Sequence, residues 1–426
     1  MRNLAVSSTV AAAVVILGAA HASAGPPLSD REMEQLAPIV EKIYTLEDSW
    51  EMPQRIRLLD SALTIVGKED WPDLWAALHR ELGFSYRKSS AGDPADNHDI
   101  AIRHFQLALS GYSLVTNPED WAETAVDLAT TYTNRPHGVP AENTARAISY
   151  MEKALTVYTR ANYPSDWARV QHNLGVILLN RETTPKGQNI EQAIEKYLLA
   201  LKECPRQGNE QLCGAIYSNL ANAYRQRQYG PKAKNIERAI AYNKKALTVF
   251  RRDCCPNDWA RIQNHLGIAF RHRVNGSDTA NIEEAIRRHN LALEVLDPNT
   301  LPERWALCKY HLGKAYFIRL KGRRAQNIEL SIENFSQAIN ISSPDRNAKG
   351  YAEMLGNLGH AYYNRMQDDP VQNLETAIRI FQDVLTVFKR HSDPESWART
   401  HYNLGDVYSD LLSGPLEANL EQAIVH

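Results

Sequence analysis

Apolar residues recur along this chain at helical spacing, in paired segments separated by short polar turns. In residues 164–201, Val170, Leu174, Ile177 and Leu178 fall three or four apart and predict one amphipathic helix. Pro164-Ser165-Asp166-Trp167 opens it, with Ser165 or Asp166 placed to cap the free amides, and it is expected to end near Arg181. Thr183-Thr184-Pro185-Lys186-Gly187 reads as a turn. A second helix follows, with Asn189 as its expected cap and Ile190, Ile194, Tyr197, Leu198 and Leu201 on its apolar side. Each helix carries only one oily stripe, so the predicted hairpin cannot bury itself and needs neighbours.

The neighbours are copies of itself. An aromatic residue followed by Ala, with Leu seven residues later, returns every 46 positions: Trp75, Trp121, Trp167, Trp259, Trp305 and Trp397, with Cys213 and Tyr351 in the two remaining slots. The second helix repeats as strictly, with Asn97, Asn143, Asn189, Asn235, Asn281, Asn327, Asn373 and Asn419 as expected caps, each followed five positions on by Ile. Arg135, Arg181, Arg227, Arg273, Arg319 and Arg365 close the first helices. Glu191, Glu237, Glu283, Glu329 and Glu375 lie ten residues beyond the last five of these and are expected to pair with them across the turn. Such a period means stacked copies of one supersecondary unit.

Asn173-Leu174-Gly175 and Asn403-Leu404-Gly405 resemble the first helix of tetratricopeptide repeats, and Ala193, Tyr197 and Ala200 resemble the second. The usual period of that family is 34 residues, so the 46 seen here suggests longer helices or loops. The Pro-x-Asp-Trp-Ala opening is similar to that of bacterial arrays that often precede caspase-like (CHAT) peptidase domains. The resemblance implies an all-α, right-handed solenoid of helix-turn-helix repeats whose first helices line a concave face that holds peptides. It also implies an alternative role as the recognition arm of a protease-type system, with the catalytic domain on another chain or lost.

The organisation expected is a signal peptide over residues 1–24, a degenerate capping repeat over 25–74, and eight repeats over 75–426 with the last one short. Arg2, the apolar run Val10 to Ala20 and Ala22-Ser23-Ala24 carry the signal-peptide reading, and the run is too short to span a bilayer. Export to a periplasmic or secreted setting follows, without membrane insertion. The last repeat stops seven residues after Asn419. That leaves a frayed stub, an end covered by a partner or by self-association, or a truncated chain. With 48 basic against 50 acidic residues, nothing in the charge balance favours nucleic acid.

The five cysteines cannot all pair within one chain. Cys204 and Cys213 flank the loop before the repeat in which Cys213 takes the Trp slot, and a disulfide between them is expected to replace that anchor. Cys308 occupies a core slot, and Cys254-Cys255 sit together in a loop. No phosphate-binding Gly-rich loop, zinc-protease helix or nucleophile elbow is present, so neither a cofactor nor catalysis is expected. His265 and His272, with His311, form only a weak metal pattern, and no metal is expected.

What varies between repeats is the set of inward slots on the first helices. Asn222, Arg225, Arg261, Asn264, Arg271, His272, Tyr310, Lys314, Phe317 and Tyr363 make this stretch basic, amide-rich and aromatic. That chemistry suits an acidic peptide or protein segment held by charge-assisted hydrogen bonds. The sequence therefore points to a non-catalytic protein-interaction scaffold.

Overall fold

The computed structural model describes residues 28–182, 184–204, 208–411 and 416–426. The expected signal peptide lies outside them. Secondary structure among the described residues is helical throughout, eighteen helices running from Asp30–Thr45 to Leu416–Val425. The chain divides into two compact units, the first ending at Leu212 and the second starting at Cys213, and the hairpin is the building block of each. In the first unit Pro72–Lys88 pairs with Pro94–Gly111, Pro118–Thr133 with Pro140–Val157, and Pro164–Leu179 with Lys186–Leu201. In the second, Pro256–Arg271 pairs with Asp278–Leu293, Pro302–Phe317 with Arg324–Ile341, and Ala348–Tyr363 with Pro370–Val387. Within each unit second helices also pack on the next first helix, as Pro94–Gly111 does on Pro118–Thr133 and Asp278–Leu293 on Pro302–Phe317. First helices touch one another, as Pro118–Thr133 touches Pro164–Leu179 and Pro256–Arg271 touches Pro302–Phe317. The first helices therefore line the inner side of each unit, as in a tetratricopeptide-like solenoid.

The helix openings differ from the sequence expectation. Pro164 itself occupies the first helical position after Tyr163, and neither Ser165 nor Asp166 makes a capping bond. Proline is pre-set for that place, because its fixed φ is helical and its missing N–H would be unpaired anyway. Asp166 lies within the first turn and accepts from Arg169 at 3.1 Å.

The repeated asparagine is not a cap either. The second helices start three residues before it, at Lys186, Lys232, Asp278, Arg324 and Pro370, so it sits inside the first turn, buried. There its side chain acts as a donor. Nδ2 of Asn143, Asn235, Asn281, Asn327 and Asn373 reaches back six residues to a loop carbonyl, at 2.8–2.9 Å. The loop makes this possible by a left-handed residue: Gly138, Gly230, Gly276 and Gly322 have φ of +79° to +85°, and Asp368 fills the same place at +62°.

The arginines pair backwards. Arg273, Arg319 and Arg365 donate through Nε at 2.7–2.8 Å to Glu237, Glu283 and Glu329, each 36 residues earlier on the preceding second helix. Arg135 does the same with Asp99 at 2.6 Å. The expected pairing with the Glu ten residues ahead is thus replaced by a bridge between repeats. Geometry decides this: the first helix ends beside the previous second helix, while its own turn is already occupied by the asparagine. Nη1 of Arg319 also reaches Asn327 Oδ1, at 3.5 Å. The guanidinium lies over the Tyr316 ring, 5.7 Å from its centroid.

Packing inside the hairpin depends on the repeated glycine. A Cβ built on Gly83, Gly175, Gly267, Gly313 or Gly359 would lie 2.5–2.9 Å from a ring on the second helix, that of Phe105, Tyr197, His289, Phe335 or Phe381. Where the chain has Ala129 or Ala221 instead, the residue 22 positions on is Met151 or Asn243, which is not a ring. A methyl and a ring cannot share the seat.

Two outcomes follow. Gly313→Ala should destabilise the second unit by about 1–3 kcal/mol through overpacking. Adding Phe335→Met should recover part of the loss, by recreating the Ala129–Met151 combination; urea titration measures both. The Glu283 carboxyl is held below its ordinary value of 4.5 by the Arg319 hydrogen bond. A depressed carboxyl stabilises above the unfolded value and loses that contribution as pH falls through the folded one. Arg319→Gln should therefore cost stability at neutral pH and flatten the decline seen on acidification below 4.5.

Candidate interaction surface on the inner helices

Nine of the ten sequence-predicted binding residues lie on the first helices of the second unit and His272 caps the end of one, but the structure divides them. Arg225 donates to Asn222 Oδ1 at 2.8 Å. Arg271 Nη2 lies 3.0 Å from His272 Nε2, and its Nε is buried without a partner. Lys314 Nζ donates to the Tyr310 hydroxyl at 3.4 Å and lies over the same ring. None of these three cations forms an ion pair among the described residues, whereas the frame arginines do. Burial pushes Arg225, Arg271 and Lys314 below their ordinary values, and Arg225 depresses Arg271, which in turn depresses Lys314. They form one desolvated, self-repelling cationic strip. Such a strip is relieved by an anion.

The other predicted residues are already engaged. Arg261 donates to Ser218 Oγ at 2.8 Å and Asp258 at 3.0 Å, joining adjacent first helices. Tyr363 donates to Asp410 Oδ2 at 2.7 Å. Phe317 lies beneath the Arg324 guanidinium, 5.2 Å from its ring centroid. Asn264 is buried rather than free in the groove, and its Oδ1 accepts from His289 Nδ1 at 2.9 Å. Its side chain meets the second helix of its own hairpin, so its neighbour there is protein. Tyr310 is buried in the same slot.

Beneath the cations lies a polar core. His289 is fully buried in the ring seat opposite Gly267, the place held by Phe335 and Phe381 in the next two repeats. Its Nε2 and the Nδ1 atoms of His265 and His311 are buried without partners. Burial drives His265 and His289 down to about 3, and His311 well below 6.5. His265, His272 and His311 do not assemble as ligands, and no group of three metal-binding side chains occurs among the described residues.

Sequence reasoning missed the far end of this face. Asn357, Gly356, Arg399 and Asn403 line a cavity of about 380 Å³ together with Tyr310 and Lys314. The signal was legible as Gly356, standing in the register of Tyr310 and Tyr402. Of the cysteines, Cys204 and Cys213 are both disulfide-bonded, and Cys254, Cys255 and Cys308 are free thiols. Burial raises the Cys308 thiol to about 12 and keeps it inert. No described helix is long and apolar enough to cross a membrane.

The buried histidines predict a pH dependence. With folded values near 3 and an ordinary value of 6.5, the unfolded chain binds more protons between these limits, so stability rises with pH across that window. His289→Phe should shrink this slope and raise the urea midpoint at acidic pH, as measured by titrations at several pH values.

No protein-family model and no curated protein sequence matches this chain. Among solved structures, it is similar to the APC/C hetero-tetramer Cut9-Hcn1, with a TM-score of 0.42 at 14% identity, covering 92% of this chain and 73% of that one. It is also similar to a circular tandem repeat protein with novel repeat topology and enhanced subunit contact surfaces, with a TM-score of 0.28 at 13% identity and 98% of each chain covered. At these values the helices of the chain themselves, and not the likeness, carry the description of the fold.

Proposed function

We propose that this protein is a non-catalytic interaction scaffold that holds an acidic segment of a partner protein along the inner helices of its second unit. The observation that carries this reading is the cationic strip of Arg225, Arg271 and Lys314. Elsewhere in the second unit the fold neutralises a repeated arginine with a carboxylate, as Arg273, Arg319 and Arg365 show. Here three partly buried cations lack such a partner, and Arg271 Nε points into protein with nothing to bond. Retaining depressed, mutually repelling cations costs stability, and a guest carboxylate offsets that cost through charge-assisted hydrogen bonds. The half-cystines Cys204 and Cys213 support a setting outside the reducing cytosol, in keeping with the exported leader read from residues 1–24.

A fluorescein-labelled oligo-glutamate peptide tests the strip. Its anisotropy should rise on titration with the full chain, and binding should weaken with salt. Arg225→Glu combined with Arg271→Glu removes two charge-assisted bonds at about 1.5 kcal/mol or more each, a loss of about a hundredfold. Lys234→Glu with Lys244→Glu, on an exposed second-helix face, serves as the control and should change little. Equal loss in both double variants, or none in the first, would sink the assignment.

A further inference from the structure

The repeat register exposes a gap. The residue 46 before Gly356 is Tyr310, and the residue 46 after it is Tyr402. Tyr310 fills its slot: it is buried, its ring lies 5.8 Å from Phe335, and its hydroxyl accepts from Asn357 Nδ2 at 3.0 Å and Lys314 Nζ at 3.4 Å. One repeat later the same seat is prepared but no ring occupies it. Phe381 stands where Phe335 stood, and Asn403 and His360 stand where Asn357 and Lys314 stood. Asn403 and His360 are 3.0 Å apart and bond to each other. All three line the cavity of about 380 Å³.

Gly356 also lacks the reason that explains Gly267, Gly313 and Gly359. A Cβ on Gly313 or Gly359 would strike a ring, whereas one on Gly356 would meet nothing within 4 Å. A glycine inside a helix costs about 0.5–1 kcal/mol relative to alanine. Packing within the chain gives nothing back for that cost, and the open volume is of a size that takes a small ligand or a side chain.

We propose that this cavity is the receptor for a tyrosine side chain of the bound partner, its ring replacing the missing aromatic against Phe381 and its hydroxyl reaching Asn403 and His360. The inference rests on the acidic-segment reading above and deepens it. A phenol is favoured over an aliphatic group because Asn403 and His360 stand in the hydroxyl-binding register, and a site built for a hydroxyl discriminates against ligands without one. An acidic context for that tyrosine follows from the rim. Lys314 and Arg399 flank the mouth against the single carboxylate Glu353. Arg399 is exposed, and among the described residues its side chain donates to Ser396 Oγ, at 3.4 Å.

The probe is N-acetyl-tyrosinamide, with N-acetyl-phenylalaninamide beside it, read on the full chain by saturation-transfer-difference NMR. The tyrosine ring protons should show transfer in the wild type, and the phenylalanine compound should bind about tenfold more weakly. Gly356→Tyr should abolish transfer by filling the cavity from within, while the helical spectrum is kept and the thermal midpoint does not fall. Gly356→Leu repeats the block with a different side chain. Asn403→Ala should remove the preference for tyrosine. Undiminished transfer in both glycine variants, or none in the wild type, overturns the pocket. The two readings fail separately. Oligo-glutamate binding that depends on Arg225 and Arg271 in a chain without tyrosinamide transfer leaves the strip standing and removes the pocket. Tyrosinamide transfer that is lost on filling, without charge-dependent peptide binding, does the reverse.

Discussion

The clasp formed by one arginine, one asparagine and one carboxylate sets the geometry of this protein. A helical hairpin has an apolar stripe on each side but nothing intrinsic that fixes its rotation against the next hairpin. Arg319 supplies that restraint. It bonds Glu283 of the previous repeat and approaches Asn327 of its own, while Asn327 holds the loop carbonyl of Lys321. Partly exposed ion pairs of this kind contribute modest net stability. Their value is directional, since a planar guanidinium bonded on two sides fixes the turn and the stacking together. The bulk of the stabilisation comes from the buried stripes, such as Ile328, Ile332 and Phe335 against Leu358 and Ala361.

The clasp and the glycine–ring seat carry the frame, and the inner slots are where the repeats diverge. In the second unit the divergence runs against stability. A histidine takes a phenylalanine seat, and among the described residues buried nitrogens lack partners and three cations form no ion pair. The proposed partner would account for uncompensated groups on this face while the frame around them stays regular. The cavity over Gly356 belongs to the same face and follows the same logic. It is visible only because the neighbouring repeat shows what a filled slot looks like.

The proposed scaffold role suits this architecture physically. An array of hairpins presents a long surface built from many first helices, and its specificity resides in side chains that the frame does not constrain. That separation of frame and surface allows recognition to change without refolding. It also makes the strip sensitive to salt, because its contribution is electrostatic and only partly buried.

The amino-acid sequence alone determined the helical hairpin, its period and the two apolar faces, because burial of a periodic stripe leaves little choice. It also placed the basic stretch on the first helices, where the structure has it. It assigned the conserved-in-register asparagine as an acceptor cap and paired the arginines forward, and the structure reversed both. Each depends on where a side chain points across a tight turn, and the left-handed residues such as Gly322 and Asp368 decide that. Nor could spacing tell that Asn264 faces the next helix and not the groove. Proximity in sequence says which residues share a helix face. Only packing between helices decides which of those residues meet protein, which remain uncompensated, and where a missing ring leaves a space.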